Sequence, residues 1–402
     1  MGMKNLIIPL LTLVLTACGG GGSPSSSPSN PVTPVSHGPA LLESVQFNTV
    51  NTVYNSAVGD LNGDGLEDVV VGGWYASSAT SHIWVFIQNA DGSMTDSTQT
   101  FLGTTTYTGS QHVFIADFDN DGKNDIWLPG FQDGNGAQPT TSTMYWGTGA
   151  NTQFTQQSFA DLVTSHGACV DDVNNDGKLD MIVAGGGIYF NNGSRSFTLD
   201  QTILHGNNYF AACAVMHQAN GDVDIFLSNN NAVAGYNDNI NVYDNSLNFQ
   251  TAVGVTKPPV DSNSDTIDAI SIDVNGDGQK DLIAIRNGSS GNGGNGRDIY
   301  LNTGNDTFTF NTNLDPTLGN DYYTYKVTVD GNPMILFSGG DVTGTKLYQI
   351  NNGLTVYDSS AFTNMASGFG TAPVAAVYRN ATYGKSYMLQ LLDTSFYTQA
   401  LQ

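Results

Sequence analysis

The sequence predicts an all-β chain: a seven-bladed β-propeller of four-stranded antiparallel blades, with the last blade closed by an N-terminal strand. Three observations predict it. A nine-residue pattern, Asp-x-Asn/Asp-x-Asp-Gly-x-x-Asp, occurs four times, over 60–68, 117–125, 172–180 and 273–281. A short apolar, β-branched run follows each copy and stops near Gly or another loop former, as in Asp68-Val69-Val70-Val71-Gly72-Gly73, and such runs read as buried strands. Aligning on the sixth-position glycine extends the repeat to seven units, at Gly65, Gly122, Gly177, Gly221, Gly278, Gly331 and Gly384, spaced by 57, 55, 44, 57, 53 and 53 residues. A period of this size marks a repeat fold whose units bury a face against their neighbours.

Each unit repeats one order of elements. An apolar strand leads into the acidic loop, and a second strand and a loop of variable length follow it. A third strand comes next, such as 82–87 or 298–302, then a turn rich in Asn and Gly. The fourth strand is polar and often carries Phe, as at Phe154, Phe197, Phe249 and Phe308. Four antiparallel strands per unit make a propeller blade. After Gly384 only two strands fit, 386–392 and 396–401, so the last blade lacks its outer strand. Residues 42–47 have the alternation to supply it and leave no free sheet edge.

The acidic loops have the chemistry of a calcium cage. Oxygens at the first, third, fifth and ninth positions, with a backbone carbonyl at the seventh and a turn at the glycine, surround one hard cation. The expected ligands are Asp60, Asn62, Asp64, Leu66 and Asp68; Asp117, Asp119, Asp121, Lys123 and Asp125; Asp172, Asn174, Asp176, Lys178 and Asp180; and Asp273, Asn275, Asp277, Gln279 and Asp281. Leu66, Lys123, Lys178 and Gln279 would contribute their carbonyls. An EF-hand is excluded, because its bidentate Glu at position twelve is replaced by Val71, Leu128, Val183 and Ala284. About four calcium ions, mainly structural, are expected. The fourth unit has Met216, Gln218 and Asn220 at the ligand positions, the sixth keeps only Asp330-Gly331, and the seventh has Arg379 and Tyr387 at the first and ninth. No calcium is expected in those three.

Composition agrees with a single array from residue 41 to the end. The 402 residues include 47 Gly, and only 12% are charged. The net charge of −24 argues against nucleic acid and anionic lipid as partners. Thirteen of the 36 acids are loop aspartates, so four divalent ions would bring the charge to −16. Cys169 and Cys213 sit three residues before the first loop position in neighbouring units; a disulfide and a pair of small buried core residues both fit. A monomer is expected.

The N-terminus reads as a processing segment. Lys4 precedes an apolar stretch over 6–15, the length of a signal-peptide core and too short for a membrane span. Leu15-Thr16-Ala17-Cys18 resembles the lipobox of bacterial lipoproteins, which implies lipidation of Cys18, removal of 1–17 and, with Gly19 rather than Asp next, the outer membrane. Residues 18–40 form a Gly/Ser/Pro tether.

From Gly59-Asp60-Leu61-Asn62-Gly63-Asp64-Gly65 and its counterparts, the chain resembles the FG-GAP and VCBS repeat families, whose best-known relatives are the propellers of integrin α subunits. The resemblance implies calcium in loops between the first and second strands of a blade and a ligand on the opposite face. The long loops over 72–81, 130–142, 228–239 and 287–296 would build that face, with Trp74, Tyr75, Phe131 and Tyr236 offering aromatic surface to a glycan or protein. His112 and His166 lie near the starts of innermost strands and are candidates for the mouth of the channel. No nucleophile elbow, zinc motif or Cys-His arrangement is present. The expectation is a non-enzymatic recognition lipoprotein. A polysaccharide lyase or other carbohydrate-active enzyme, marked by a basic and His/Tyr cluster in one pocket, is the first alternative; a scaffold subunit of an envelope complex is the second.

Overall fold

A computed structural model of the chain describes residues 52–74, 81–107, 110, 112–130, 141–160, 167–184, 186–202, 210–218, 221–229, 240–244, 249, 252–255, 264–288, 296–304, 307–313, 321–339, 346–350, 354–356, 375–392 and 395–400. All of its sheets are antiparallel and pair in sequence order, each strand beside the next. The first sheet comprises Thr52–Gly59, Asp68–Trp74, Ser81–Gln88 and Met94–Asp96, with Thr106–Tyr107 also paired to its third strand. The second comprises Phe114–Ala116, Asp125–Leu128, Thr141–Trp146 and Thr155–Ala160. The third comprises Ala168–Asp171, Asp180–Val183, Gly187–Gly193 and Ser196–Asp200. The fourth comprises Phe210–His217, Val223–Asn229, Ile240–Asp244 and Ala252–Val255. The fifth comprises Ser264–Ile272, Asp281–Gly288, Gly296–Asn302 and Phe308–Asn313. The sixth comprises Asp321–Val329, Asn332–Gly339, Lys346–Ile350 and Leu354–Val356, and the seventh Ala375–Arg379, Ser386–Leu392 and Ser395–Ala400.

The all-β expectation holds, but the uniform count does not. Among the described residues five sheets are four-stranded blades, not seven. The departures lie at the two ends of the array. In the first sheet a five-residue helix, Thr98–Leu102, interrupts the outer strand, so Met94–Asp96 and Thr106–Tyr107 pair with opposite ends of the same third strand. The helix stays because Phe101 and Leu102 are buried and the Thr98 hydroxyl accepts the Val85 N–H at 2.8 Å. The seventh sheet has three strands; residues 42–47, expected to complete it, lie outside the described residues. No helix among the described residues is long and apolar enough to cross a membrane.

Alternating apolar side chains on the inner strands pack the first six sheets each against the next, and the first against the seventh, which gives the propeller arrangement. Val70, Ile83 and Val85 of the first sheet meet Ile126, Leu128 and Tyr145 of the second. Trp127, Met144 and Trp146 meet Met181, Val183 and Tyr189 of the third. At the other end Val69, Val71, Trp84 and Phe86 of the first sheet pack on Ala376, Tyr378, Tyr387 and Leu389 of the seventh. The first and last sheets are thus neighbours, as a closed array requires. Cys169 and Cys213 are joined in a disulfide with their Cα atoms 5.6 Å apart, linking the innermost strands of the third and fourth sheets.

Candidate metal centres

The four acidic loops share one backbone frame. An oxygen of the first aspartate, Asp60, Asp117, Asp172 or Asp273, accepts the N–H of the sixth-position glycine at 2.8, 2.8, 2.7 and 2.9 Å. The third-position oxygen, from Asn62, Asp119, Asn174 or Asn275, accepts the N–H of the fifth residue at 3.1, 3.2, 2.9 and 3.0 Å. An oxygen of that fifth residue, Asp64, Asp121, Asp176 or Asp277, takes the N–H of Leu66, Lys123, Lys178 or Gln279. Gly65, Gly122, Gly177 and Gly278 lie at φ of 81°, 83°, 83° and 89°, in space where a Cβ would meet nothing. Backbone conformation, not crowding, demands glycine there. The fourth position is left-handed too, with Gly63, Asn120, Asn175 and Gly276. Reading that position as free overlooks a signal, since Gly and Asn are the residues that tolerate it.

The ninth aspartate anchors the loop. Asp68, Asp125, Asp180 and Asp281 are each 0% exposed. One oxygen accepts the N–H of the loop's second residue, Leu61, Phe118, Val173 or Val274, at 2.8, 2.9, 3.1 and 2.8 Å. The other accepts the N–H at the end of the third strand, from Gln88, Gly147, Asn191 or Asn302, at 2.9, 2.7, 2.8 and 2.9 Å. Burial pushes these carboxyls up, Asp68 and Asp125 to about 7, Asp180 to about 6 and Asp281 in the same direction, with the backbone donors opposing the shift. A cation beside them would favour the charged form.

The donor set fits a hard cation. Carboxylate oxygens of Asp117, Asp119 and Asp125 lie within 4.8 Å of one another, a separation two oxygens can span when each sits about 2.3–2.6 Å from one calcium. Among the described residues only this loop brings three carboxylates so close; the other three carry an asparagine, Asn62, Asn174 or Asn275, at the third position.

A second device, missed in the sequence, ties each loop to the sheet before it. Gln88 ends a third strand, and its side-chain amide donates to Glu67 O at 2.9 Å and across to Arg379 O at 3.0 Å. Asn191 donates to Leu179 O at 3.0 Å and to Phe118 O of the second loop at 2.6 Å. Asn302 donates to Lys280 O at 3.2 Å and to Gln218 Oε1 at 2.9 Å. In the second sheet the position is Gly147, where a Cβ would stand 2.0 Å from Asn124 O. There the loop's own Asn124 supplies the amide, donating to Asp60 O at 2.9 Å. Gln88 and Asn302 are the last residues of their third strands, while Asn191 stands two before the end of its strand and Gly147 one past the end of its own.

The eroded units keep the turn with other chemistry. Asp224 remains 0% exposed, and the Gln218 amide donates to its carboxylate. Asp330 and Gly331, at φ of 49° and 85°, form a two-residue hairpin whose Asp330 exchanges hydrogen bonds with Ser386 at 2.8 and 2.9 Å. In the seventh unit Ser386, not Tyr387, pairs with Arg379 and takes the ninth place, because the loop is shorter than alignment on Gly384 implies.

The candidate recognition residues fare unevenly. Trp74 ends a second strand, while Tyr75, Phe131, His166, Tyr236 and the lipidation candidate Cys18 lie outside the described residues. His112 reaches the central channel: its Nδ1 is 3.2 Å from Asn55 Nδ2, and its ring stacks on Phe114 at 6.0 Å. It lines a cavity of about 500 Å³ bounded by the innermost strands of the first six sheets. Asp171, Asp268, Tyr325 and Lys326 line the same cavity. Asp171 Oδ1 is 2.9 Å from His217 Nε2. Asp268 accepts the N–H groups of Thr324 at 2.5 Å and Ala269 at 2.9 Å, and burial raises its carboxyl to about 7. Partial desolvation within the cavity wall, then the charge of Lys280, lowers the Lys326 ammonium against the opposing pull of Asp171.

The FG-GAP-like repeat family matches residues 60–128, from the first acidic loop to the end of the strand that follows the second. No curated protein matches the chain. Among solved structures it is similar to a protein of unknown function from Dyadobacter fermentans, at 11% identity over 89% of this chain and 96% of that one with a TM-score of 0.42. It is also similar to the exo-β-1,3-galactanase of Phanerochaete chrysosporium with galactose, at 12% identity over 87% and 89% with a TM-score of 0.38. The Dos1 propeller is matched at 8% identity over 87% and 78% with a TM-score of 0.41. Likeness at this level says nothing of activity, and the fold described above rests on the strand pairing.

Proposed function

We propose that this chain is a calcium-stabilised propeller, anchored through lipidated Cys18 to a bacterial outer membrane, that binds a glycan or protein on the face opposite its acidic loops without catalysing a reaction. The observation that supports the metal reading is the common frame of the four loops, in which side-chain oxygens at the first, third, fifth and ninth positions accept backbone N–H groups around a buried aspartate, with those of Asp117, Asp119 and Asp125 within 4.8 Å of one another in the second loop. In this reading the ion supplies the positive charge that the loop's carboxylates lack, and the residues hold the turn and join neighbouring sheets. The disulfide supports export to an oxidising compartment. A calorimetric titration of the chelated chain with calcium tests the metal. A glycan array with and without calcium tests recognition, and a protein pull-down without glycan binding would favour the scaffold alternative.

A carbohydrate-active enzyme is the second reading, and one observation favours it. His112, Tyr325 and Lys326 line one cavity with Asp171 and Asp268, the mixture of base and cation that work on an acidic sugar requires. Turnover of an acidic polysaccharide that is lost in Lys326→Met and Tyr325→Phe would establish it. Unchanged turnover in both variants would remove the channel from consideration.

A further inference from the structure

The second acidic loop differs from the other three by one charge. Its third position is Asp119, where the others have Asn62, Asn174 and Asn275, so it gathers four carboxylates instead of three. The Asp119 side chain is 6% exposed and converges with Asp117 and Asp125. Like charges held this close repel and open the loop unless a cation sits among them.

The third sheet supplies such a cation. Arg195 lies in the turn between that sheet's third and fourth strands, with Ser194 and Arg195 at φ of 55° and 65°. Non-glycine residues rarely adopt this conformation, and a two-residue hairpin of this kind fixes the direction of its side chains. Arg195 Nε donates to Asp119 Oδ2 at 2.6 Å, and its Nη2 stands 3.8 Å from Asp121 Oδ2. The guanidinium carbon lies 5.0 Å from the centroid of the Trp146 ring, which in turn stacks on Phe197. The arginine is therefore located by a strained turn, an aromatic platform and a carboxylate, not by the carboxylate alone. Among the described residues Lys123 and Lys178 pair with the fifth aspartate of their own loops, Asp121 and Asp176, whose side chains are 28% and 35% exposed against 6% for Asp119.

We propose that Arg195 is a resident counter-cation for the second loop: it holds Asp119 in cage orientation with or without a bound ion, so this loop keeps its fold when calcium is withdrawn and the three asparagine-type loops do not. The inference rests on the calcium reading for its contrast between loops, but the Arg195–Asp119 coupling is measurable with no metal present.

The test is hydrogen exchange of the full chain in excess chelator, following amides 121–123 against 64–66, 176–178 and 277–279. Residues 121–123 should exchange at least about tenfold more slowly than the other three sets, a ratio equivalent to about 1.4 kcal/mol. R195Q should abolish the difference, and in a D119N background R195Q should change exchange less than about twofold, since the two act as one unit. If R195Q lowers the stability of the whole chain, D119N alone still tests the pair and should raise exchange at 121–123 only. Equal exchange of the four loops in the unmodified chain would overturn the proposal. So would an R195Q effect of the same size in the D119N background, which would assign the role to packing on Trp146. A chain that binds no calcium while showing this coupling would sink the metal reading and leave the latch standing.

Discussion

The fifth and sixth sheets pack side by side through Val274, Ile283 and Ile285 on one and Ile335 and Tyr348 on the other, yet they join their first two strands in opposite ways. The fifth uses the acidic loop between Ile272 and Asp281; the sixth uses the two residues Asp330 and Gly331 between Val329 and Asn332. If the loop were only a turn, the hairpin would do as well. The longer loop does more. Its second residue, Val274, enters the core, its ninth, Asp281, holds two backbone N–H groups, and Asn302 reaches from it to the fourth unit. Among the described residues the hairpin's hydrogen bonds to its neighbour run between Asp330 and Ser386. The acidic loop is thus a joint between sheets, and the metal reading assigns the ion to the closing of that joint.

The largest expected effect on this contrast comes from pH in the absence of metal. The folded-state carboxyls of Asp68, Asp125, Asp180 and Asp281 are raised above their unfolded value by burial. A raised carboxyl means that the native chain binds more protons than the unfolded chain, so stability is greatest below about pH 4 and is lost as pH rises toward 6 to 7. Other groups act in acid, so the window to examine is pH 5 to 8. The chelated chain should melt several degrees higher at pH 5 than at pH 8, and saturating calcium should reverse the slope, because the ion needs ionised ligands. The same slope with and without calcium would show that the ninth aspartates do not meet the ion.

Next in size is the ninth aspartate itself. Asp281→Ala removes two hydrogen bonds to a buried carboxylate and should cost about 3 kcal/mol in calcium, together with one bound ion. Asp224→Ala, in an eroded unit, should cost stability without changing the ion count. Equal metal losses in the two would erase the distinction between the loop classes.

Asn191→Ala removes the side-chain donor to Phe118 O and Leu179 O and should cost about 2 kcal/mol by denaturant melting, with calcium stoichiometry kept. The smallest change is Gly331→Ala, which forces a side chain into a left-handed turn and should cost about 1 kcal/mol whether or not calcium is present.

Much of this was legible in the sequence because the chemistry is local. Ligand positions one, three, five and nine, the glycine at six and the apolar run after it fall within a dozen residues, and the structure gives each loop one frame. The carboxamide ties were not legible in the same way. Gln88, Asn191 and Asn302 follow their ninth aspartates by 20, 11 and 21 residues, since the intervening loops vary in length, and Gly147 passes the role to Asn124. The Thr98–Leu102 helix was hidden because Ser97 provides no side-chain cap and the segment reads as polar strand. Arg195 was hidden because its partner Asp119 is 76 residues away and meets it only across two sheets.

The central claim, that four loops each close on one calcium and that the ion holds the sheets together, is tested most directly by counting calcium in the purified chain and melting the same sample before and after chelation. The expected result is four ions per chain and a melting temperature that falls by many degrees when they are removed. Fewer than one ion per chain at saturating calcium, or a melt indifferent to chelation, would contradict it.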